Sequence, residues 1–438
     1  MIRAEPGYNE LVATFVRIGL LSFGGPAGQI ALMHREIVED RGWLGEQDFL
    51  RALNFCHLLP GPEAQQLATF IGWRLHGVKG GLTAGLLFIL PGAAVMFALS
   101  LLYAYAADLG WFAALFLGIK AAVLAIVVQA LVRIAGRALD RPARRTVALM
   151  AFIALFFFDL PFPLVILSAS MLGTAFSHAF AGPGPCAPPD APADSARAWP
   201  QTAKAIAGFG FAWALPLAAV WLFFGPHHIL LDVGLFFSQL AIVTFGGAYA
   251  VLAYMAQEAV QSFAWLQPGE MADGLGLAET TPGPLILVTQ FVGFLAGFRA
   301  PDPLTPLAMA SLAALLTLWV TFVPCFLWIF ALAPWIDRLN RITRLQAGLA
   351  AVTAAVVGVI ANLTLWFALH ILFVHVDQSR VGAIRLYQPD MGSFDPGAAI
   401  IALGAGVLLF RYRIGILAVL GLALPAGLVV RAFVYPGG

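Results

Sequence analysis

Apolar residues fill long stretches of the chain, and short polar or Gly/Pro-rich segments interrupt them. A run of about 20 apolar residues can cross a bilayer as a helix, so the pattern predicts a series of membrane helices. A stretch rich in Pro and Ala at 181–200 cannot build a core and predicts a loop. The expected apolar segments are 11–33, 45–59, 63–77, 81–107, 111–136, 146–158, 164–176, 205–224, 229–257, 285–298, 304–333, 345–374, 397–410 and 414–431.

The composition agrees with a membrane protein. Of the 438 residues, 61% are hydrophobic and 11% are charged, whereas soluble domains carry about 25% charged residues. We therefore expect an all-α polytopic protein embedded in the lipid bilayer. The net charge of +1 gives no reason to expect nucleic acid as a partner. Arg17 interrupts the first apolar stretch and no small-residue cleavage site follows, so we expect direct insertion into the inner (plasma) membrane rather than a cleaved signal peptide.

The chain contains an internal repeat. A Phe-Gly-Gly motif at 23–25 recurs at 245–247, and a Pro-Gly-Pro motif at 60–62 recurs at 282–284, both with an offset of 222 residues (246 − 24). Chance similarity between apolar segments would not keep Gly and Pro in register, so we expect two homologous halves. The expected boundaries are 1–176 for the N-terminal repeat, 177–228 for a linker loop and a connecting transmembrane helix, and 229–438 for the C-terminal repeat.

Basic residues indicate that the two halves have opposite orientations. The loop at 133–145 carries five arginines, and short arginine-rich loops face the cytoplasm. Its counterpart at 375–396 has two arginines and three aspartates. One span earlier, the loop at 335–344 has three arginines, whereas the matching loop at 106–110 has none. The basic loop has moved by one span between the halves, which predicts an inverted-topology repeat with broken or re-entrant helices.

The same rule bears on the Pro-Gly-Pro motifs. The flanks of 60–62 are basic and the flanks of 282–284 are mainly acidic. The two ends of each segment therefore lie on the same side of the membrane. We therefore expect 45–77 and 267–299 to form helix–turn–helix hairpins that enter the membrane and return. A full crossing at each motif is the alternative. The sequence leaves open on which side the N-terminus lies.

The breaks predict an anion site. Non-helical backbone is tolerated at membrane depth only where protein or a water-filled cavity surrounds it, so we expect the four breaks to converge. The free N–H groups of a helix that starts after Pro62 or Pro284, together with the helix dipole, favour an anion. The Gly-Gly pairs permit positive φ and close backbone approach. The alternative is that these glycines and prolines only permit tight helix crossing.

Charged residues within apolar segments point to the same site, because ionisable groups at membrane depth are costly and usually functional. We expect Arg17 and Lys120 to neutralise the anion, and Glu63 to carry a proton or to repel the anion. The alternatives are an internal pair for Arg17 and a helix cap for Glu63. No catalytic residue, metal site or cofactor is expected. The candidate substrate-binding residues are Arg17, Ser22, Phe23, Gly24, Gly25, Pro60, Gly61, Pro62, Glu63, Gln66, Lys120, Thr244, Gly246, Gly247, Thr281, Pro282, Gly283 and Pro284.

Several of these motifs together resemble the chromate ion transporter family in its long, two-domain form. The resemblance lies in "FVRIGLLSFGGPAGQIALM" with "FGGAYAVLAYM", in "RGWL" with "FAWL", in "LLPGPEAQQLATFIGW" with "TTPGPLILVTQFVGF", and in "PFPLVILSASMLG". It covers essentially the whole chain. It implies a membrane transporter that exports chromate and gives resistance, built from two homologous halves of opposite orientation. The second half departs from the pattern at Ala248, which replaces a proline, and at Leu285, which stands where the first half has Glu63.

Chromate is a tetrahedral dianion close to sulfate in shape, which agrees with a backbone-lined anion site. A transporter of sulfate or another oxyanion is the nearest alternative, and a membrane-embedded enzyme or scaffold is an alternative of another class. The chain lacks a G-x-x-x-x-G-K-[ST] motif, which argues against ATP as the energy source. Coupling to protons or to a counter-anion, and assembly as a homodimer, are left open by the sequence.

Overall fold

A computed structural model of the chain describes residues 6–107, 109–180, 195–245, 248–339 and 341–434. These residues are mostly helical. The helices before the middle of the chain are α1 (Tyr8–Leu21), α2 (Gly25–His34), α3 (Glu46–His57), α4 (Glu63–Ala106), α5 (Gly110–Ala138), α6 (Pro142–Phe156), α7 (Phe162–Ala175), α8 (Ser177–Phe180) and α9 (Ser195–Phe224). Those that follow are α10 (Ile229–Val243), α11 (Ala248–Gln257), α12 (Pro268–Thr280), α13 (Val288–Arg299), α14 (Pro306–Leu332), α15 (Ile336–Leu339), α16 (Thr343–Leu372), α17 (Pro396–Phe410) and α18 (Ile416–Val434).

Five helices among the described residues are long and apolar enough to cross a membrane. They are Glu63–Ala106, Gly110–Ala138, Ala198–Phe224, Pro306–Leu339 and Thr343–Leu372. The number, length and composition of these helices therefore confirm the expected helical, multi-pass membrane protein. The loop expected at 181–200 lies outside the described residues up to 194, and from Ser195 onward the chain is already helical.

The order of elements in the first part of the chain recurs in the second. Both copies begin with a helix, a break and a second helix, which ends in a π-helical turn at Arg35–Asp40 and at Glu258–Ser262. Each Pro-Gly-Pro motif lies between two helices. In the first copy α3 ends at His57 and α4 begins at Glu63, and the rings of Phe55 and Phe70 are 5.8 Å apart across the turn. The helix–turn–helix form expected at 45–77 is present there.

Helix α4 contains a second interruption. His76 (φ −136°, ψ 30°) and Gly77 (φ 60°, ψ −155°) are not helical, so two helical stretches meet at this point. The corresponding place in the second copy is the gap between α13 and α14. A glycine suits this junction because positive φ costs it nothing sterically.

The segment 375–396, expected as a plain loop, holds a β-hairpin. Strands β1 (Val376–Val381) and β2 (Ile384–Pro389) are antiparallel, with Val376 opposite Pro389. Gly382 takes a positive φ of 63° in the tight turn between them. Two strands of six residues each, rich in polar side chains, give little hydrophobic periodicity from which to predict them.

The chain folds into two compact units. The first comprises Met1–Ser100, Ala181–Val251 and Thr281–Gln346, and the second comprises Leu101–Phe180, Leu252–Thr280 and Ala347–Gly438. Each unit therefore takes segments from both copies.

Apolar side chains and close glycine contacts pack the two units. Aromatic side chains form much of the first core, including Phe15, Phe49 and Phe88. In the second unit α5 and α18 approach closely through Gly118 and Gly427, as small residues allow in membrane helices.

Candidate functional site

Two reciprocal backbone hydrogen bonds connect the breaks of one copy with those of the other inside the first unit. The N–H of Gly61 donates to the carbonyl of Thr244 (2.7 Å), and the N–H of Gly283 donates to the carbonyl of Ser22 (2.8 Å). Each residue in the first bond has its equivalent in the second, 222 residues away. The Phe-Gly-Gly break of each copy thus lies against the Pro-Gly-Pro turn of the other.

The local chemistry explains why these bonds form. Prolines flank each glycine and have no N–H, so the glycine supplies the only donor within each Pro-Gly-Pro triplet. Gly61 (φ 125°) and Gly283 (φ 90°) adopt backbone conformations that favour glycine. Their N–H groups are bound to carbonyls and are not available to an anion. The N–H groups that remain as candidate donors to an anion are therefore those in the first turn of the following helix. In the first copy these are the N–H groups of Glu63, Ala64 and Gln65, which have no acceptor within α4.

The Gly24-Gly25 pair borders open space. Both residues have positive φ (84° and 71°), and a Cβ added to either would meet nothing within 4 Å. Helix α2 begins at Gly25, so its first N–H groups lie beside this space. Phe23 is partly buried. The equivalent Gly246 and Gly247 lie outside the described residues.

The hydroxyl groups of Ser22 and Thr244 donate within their own helices. The Ser22 hydroxyl donates to the Ile18 carbonyl (2.6 Å), and the Thr244 hydroxyl donates to the Leu240 carbonyl. Both satisfy carbonyls of their own helix, as Ser and Thr commonly do in membrane helices. The main chain of Ser22 and Thr244, rather than the side chain, therefore contributes to the arrangement.

Buried amides support the turns. Gln66 donates from Nε2 to the Pro60 carbonyl (2.6 Å), and Gln29 donates from Nε2 to the Gly283 carbonyl (2.5 Å). Gln29 was not among the candidates, although its place on α2, four residues after Gly25, is a signal that could have identified it.

Buried polar atoms lie among the buried residues around the turns. Pro60, Pro62, Thr281, Pro282 and Pro284 are all buried. In the part of the chain that the structure describes, the Oε1 atoms of Gln65, Gln66 and Gln290 are buried and have no hydrogen-bond partner. Unpaired buried acceptors of this kind call for water or another donor, so this region suits a hydrated cavity.

Two proline-containing helices pack against the turns. A Cβ on Gly92 would lie 2.0 Å from the Pro282 carbonyl oxygen, and a Cβ on Gly61 would lie 3.0 Å from Sγ of Cys325. Gly92 follows Pro91 in α4, and Cys325 follows Pro324 in α14. The residue that follows an internal proline in each long helix thus lies against the Pro-Gly-Pro turn of the other copy, and the prolines inside these apolar segments were a signal for it.

The charged candidates all have protein partners. Nε of Arg17 lies 3.3 Å from Oε1 of Glu36, a fully buried carboxylate that also pairs with Arg41. Glu63 accepts from Nδ1 of His57 (2.9 Å) across the Pro-Gly-Pro turn.

Lys120 belongs to the second unit, where its Nζ lies 3.2 Å from Oδ2 of Asp273. The other candidates that the structure describes belong to the first unit. Among the described residues no group of three or more His, Cys, Asp or Glu side chains could hold a metal ion.

The chain is similar to known transporters. The model of a family described as "Chromate transporter" matches residues 9–174 and 231–428, two stretches that begin 222 residues apart (231 − 9). A chromate transport protein of Pseudomonas aeruginosa is 33% identical over 92% of this chain and 87% of its own length. A probable chromate transport protein of Synechococcus elongatus is 28% identical over 83% of this chain and 85% of its own. For a chromate transport protein of Cupriavidus metallidurans these values are 27%, 82% and 83%. No solved structure matches the chain.

Proposed function

Because the chain belongs to the chromate transporter family, we propose that it exports chromate across the cytoplasmic membrane as a secondary active transporter and so confers chromate resistance. Membership of this family indicates a transporter rather than an enzyme, and chromate as the transported ion. Three further points are our proposal: that transport is directed outward, that it is coupled to an ion gradient, and that it confers resistance.

The reciprocal bonds Gly61–Thr244 and Gly283–Ser22 carry the proposal for the site. Each bond joins the Pro-Gly-Pro turn of one copy to the Phe-Gly-Gly break of the other, so exchanging the two copies turns one bond into the other. Reciprocal contacts of this kind are characteristic of a two-fold axis. This supports the inverted-repeat plan, in which a substrate site lies at the interface of the repeats and the repeats rock around it.

In this proposal the chromate dianion is held by backbone N–H groups in the first turn of α4 and at the Gly24-Gly25 start of α2. Such helix N-termini favour anions through their unpaired N–H groups and dipoles. Arg17 adds a positive charge, with Glu36 holding its guanidinium. The buried Oε1 atoms of Gln65 and Gln66 accept hydrogen bonds from water beside the anion. Partial rather than full charge compensation allows release, because a very tightly held ion would not leave.

Chromate uptake into everted membrane vesicles tests the function. We expect uptake that responds to an imposed pH gradient and that sulfate reduces by competition, since the two anions share shape and charge. Uptake that neither sulfate nor a gradient alters would contradict both the tetrahedral-anion site and the coupling. If sulfate were transported and chromate only inhibited, the native substrate would be sulfate.

Arg17→Gln tests the substrate role of Arg17, and Arg41→Gln is the matched control because both arginines pair with Glu36. A lost hydrogen bond to a charged group costs about 1.5–3 kcal/mol, which corresponds to about a 10- to 150-fold rise in the KM for chromate. We expect this rise for Arg17→Gln alone. Equal KM values for the two variants would leave Arg17 with only its structural pairing to Glu36.

A further inference from the structure

A buried charge cluster in the second unit includes Lys120, the one candidate residue that belongs to that unit among those the structure describes. The carboxylate of Asp273, on α12, is 3% exposed. Its Oδ2 accepts a hydrogen bond from the hydroxyl of Tyr103 (2.7 Å) and lies 3.2 Å from Nζ of Lys120. Its Oδ1 is buried and has no hydrogen-bond partner among the described residues.

This geometry is poor for a purely structural ion pair. A buried pair offsets the loss of hydration only when its remaining lone pairs are also satisfied, and here both donors use one oxygen while the other has none. Lys120 interrupts the apolar N-terminal part of α5, a helix long and apolar enough to span the membrane. Ionisable residues in such segments are costly and are usually retained for ion or proton pathways.

The surroundings of Asp273 contain few other charges. Helix α5 contributes Lys120, α4 contributes Tyr103, and the first turn of α12 itself contributes Glu270. The only ionisable residue of α18, which also packs on α12, is Arg431, and its guanidinium bonds the Gly110 carbonyl. Of the charged groups on these elements, the Lys120 ammonium is the one in contact with the carboxylate.

The ammonium group of Lys120 lies close to the backbone of α12. A Cβ on Gly269 would lie 3.1 Å from Nζ of Lys120, so the absence of a side chain at Gly269 leaves room for the ammonium group. The equivalent of Asp273 in the first copy is Arg51, which is exposed and lies 4.0 Å from Asp48. The buried carboxylate is thus a property of the second copy, and the lysine that pairs with it belongs to the first.

We propose that Asp273 is a proton-binding site that couples chromate transport to the proton gradient, an inference that rests on the proposed function. A proton that binds the unpaired Oδ1 removes the negative charge that holds Lys120, and loss of that proton restores the pair. Helix α12 ends at Thr280, immediately before the Pro-Gly-Pro motif at 282–284. Proton binding therefore changes how firmly α5 holds the helix that leads into this turn.

Asp273→Asn tests the proposal in everted vesicles, and Asp140→Asn is the matched control. Asp140 also forms an ion pair, 2.8 Å from Arg144, but is 53% exposed. We expect the wild type and Asp140→Asn to accumulate chromate when a pH gradient is imposed. Asp273→Asn should lose this accumulation by about tenfold or more while it retains chromate exchange at equal pH on both sides. Gradient-driven accumulation that survives Asp273→Asn would overturn the proposal.

A double variant, Asp273→Asn with Lys120→Met, separates proton coupling from folding. It leaves no unpaired charge, so a purely structural pair predicts that gradient-driven transport recovers. We expect normal protein levels and exchange but no recovery of the response to the gradient. Glu63→Gln provides a further check: loss of the gradient response there, with its retention in Asp273→Asn, would assign the proton to Glu63 instead.

Failure of this inference can be distinguished from failure of the proposed function. If the wild type transports chromate without any response to a pH gradient, the proton site is wrong and chromate transport stands. If it transports no chromate, proton binding is still measurable by infrared titration of the purified protein. We expect a protonated-carboxyl C=O band that titrates in the wild type and is missing in Asp273→Asn. An identical titration in both proteins would refute the site.

Discussion

Replacement of Gly92 by alanine tests the close contact on which the candidate site depends. Gly92 lies in α4 beside the Pro-Gly-Pro turn of the second copy. A Cβ at this position would come within 2.0 Å of the Pro282 carbonyl oxygen and 2.6 Å of Cδ1 of Leu287. Real Cβ atoms essentially never approach another heavy atom closer than 3.0 Å. The helix and the turn must therefore separate by about 1 Å to accept the methyl group.

The cost follows from this displacement. Leu287 is a flexible side chain and can move, but the Pro282 carbonyl belongs to a turn fixed by the bond from Gly283 to Ser22. Forcing extra volume into a packed interior costs about 1–3 kcal/mol. If the strain falls on the transport-competent arrangement of the turn, it lowers chromate transport by about 5- to 150-fold.

Chromate uptake at matched protein levels is the assay, with the apparent melting temperature in detergent as a second readout. Gly208→Ala is the control: it lies in α9 of the same unit, and a Cβ there meets nothing within 4 Å. Alanine in an open helical position is favourable by about 0.5–1 kcal/mol, so the control should keep full activity. If Gly92→Ala matched Gly208→Ala in both readouts, the close contact would be absent from the folded protein.

Two further predictions concern stability and binding. Arg385→Met should lower the free energy of unfolding by about 3–5 kcal/mol, because the Arg385 side chain, 3% exposed, bonds Asp159 and two carbonyls of α6. The control, Arg380→Met, removes the 68% exposed partner of the same carboxylate and should cost less than about 1 kcal/mol. Equal melting temperatures for the two variants would contradict this difference. Gln29→Leu removes the buried hydrogen bond to the Gly283 carbonyl and leaves that carbonyl unsatisfied, at a cost of about 1–3 kcal/mol. The KM for chromate should therefore rise. An unchanged KM would show that Gln29 does not support the turn.

Much of the fold could be predicted from the sequence because it depends on local properties. Apolar runs of sufficient length gave the long helices, and Gly and Pro marked where those helices are interrupted, as at Gly61 and Gly283. The repeat was visible because identical breakers recur at one offset. The β-hairpin at Val376–Pro389 was missed because two short polar strands give little hydrophobic periodicity.

The partners of the charged residues could not be predicted in the same way. Asp273 was seen only as one acidic residue near a motif, whereas in the structure it is buried beside Lys120, 153 positions earlier in the chain (273 − 120). Arg17 and Glu63 were expected to act on the substrate, and the structure adds Glu36 and His57 as their partners. Such pairs depend on how helices pack, which no local pattern specifies.

The sequence by itself determined that this protein is a helical membrane protein with matched breaks in two copies, because backbone hydrogen bonding in a bilayer must be satisfied within each segment. Only the tertiary structure decided that the breaks pair crosswise, with Gly61 bound to Thr244 and Gly283 bound to Ser22. The physical reason is that each Pro-Gly-Pro triplet has a single N–H donor, and its acceptor is a carbonyl about 180 or 260 residues away that folding alone brings within reach.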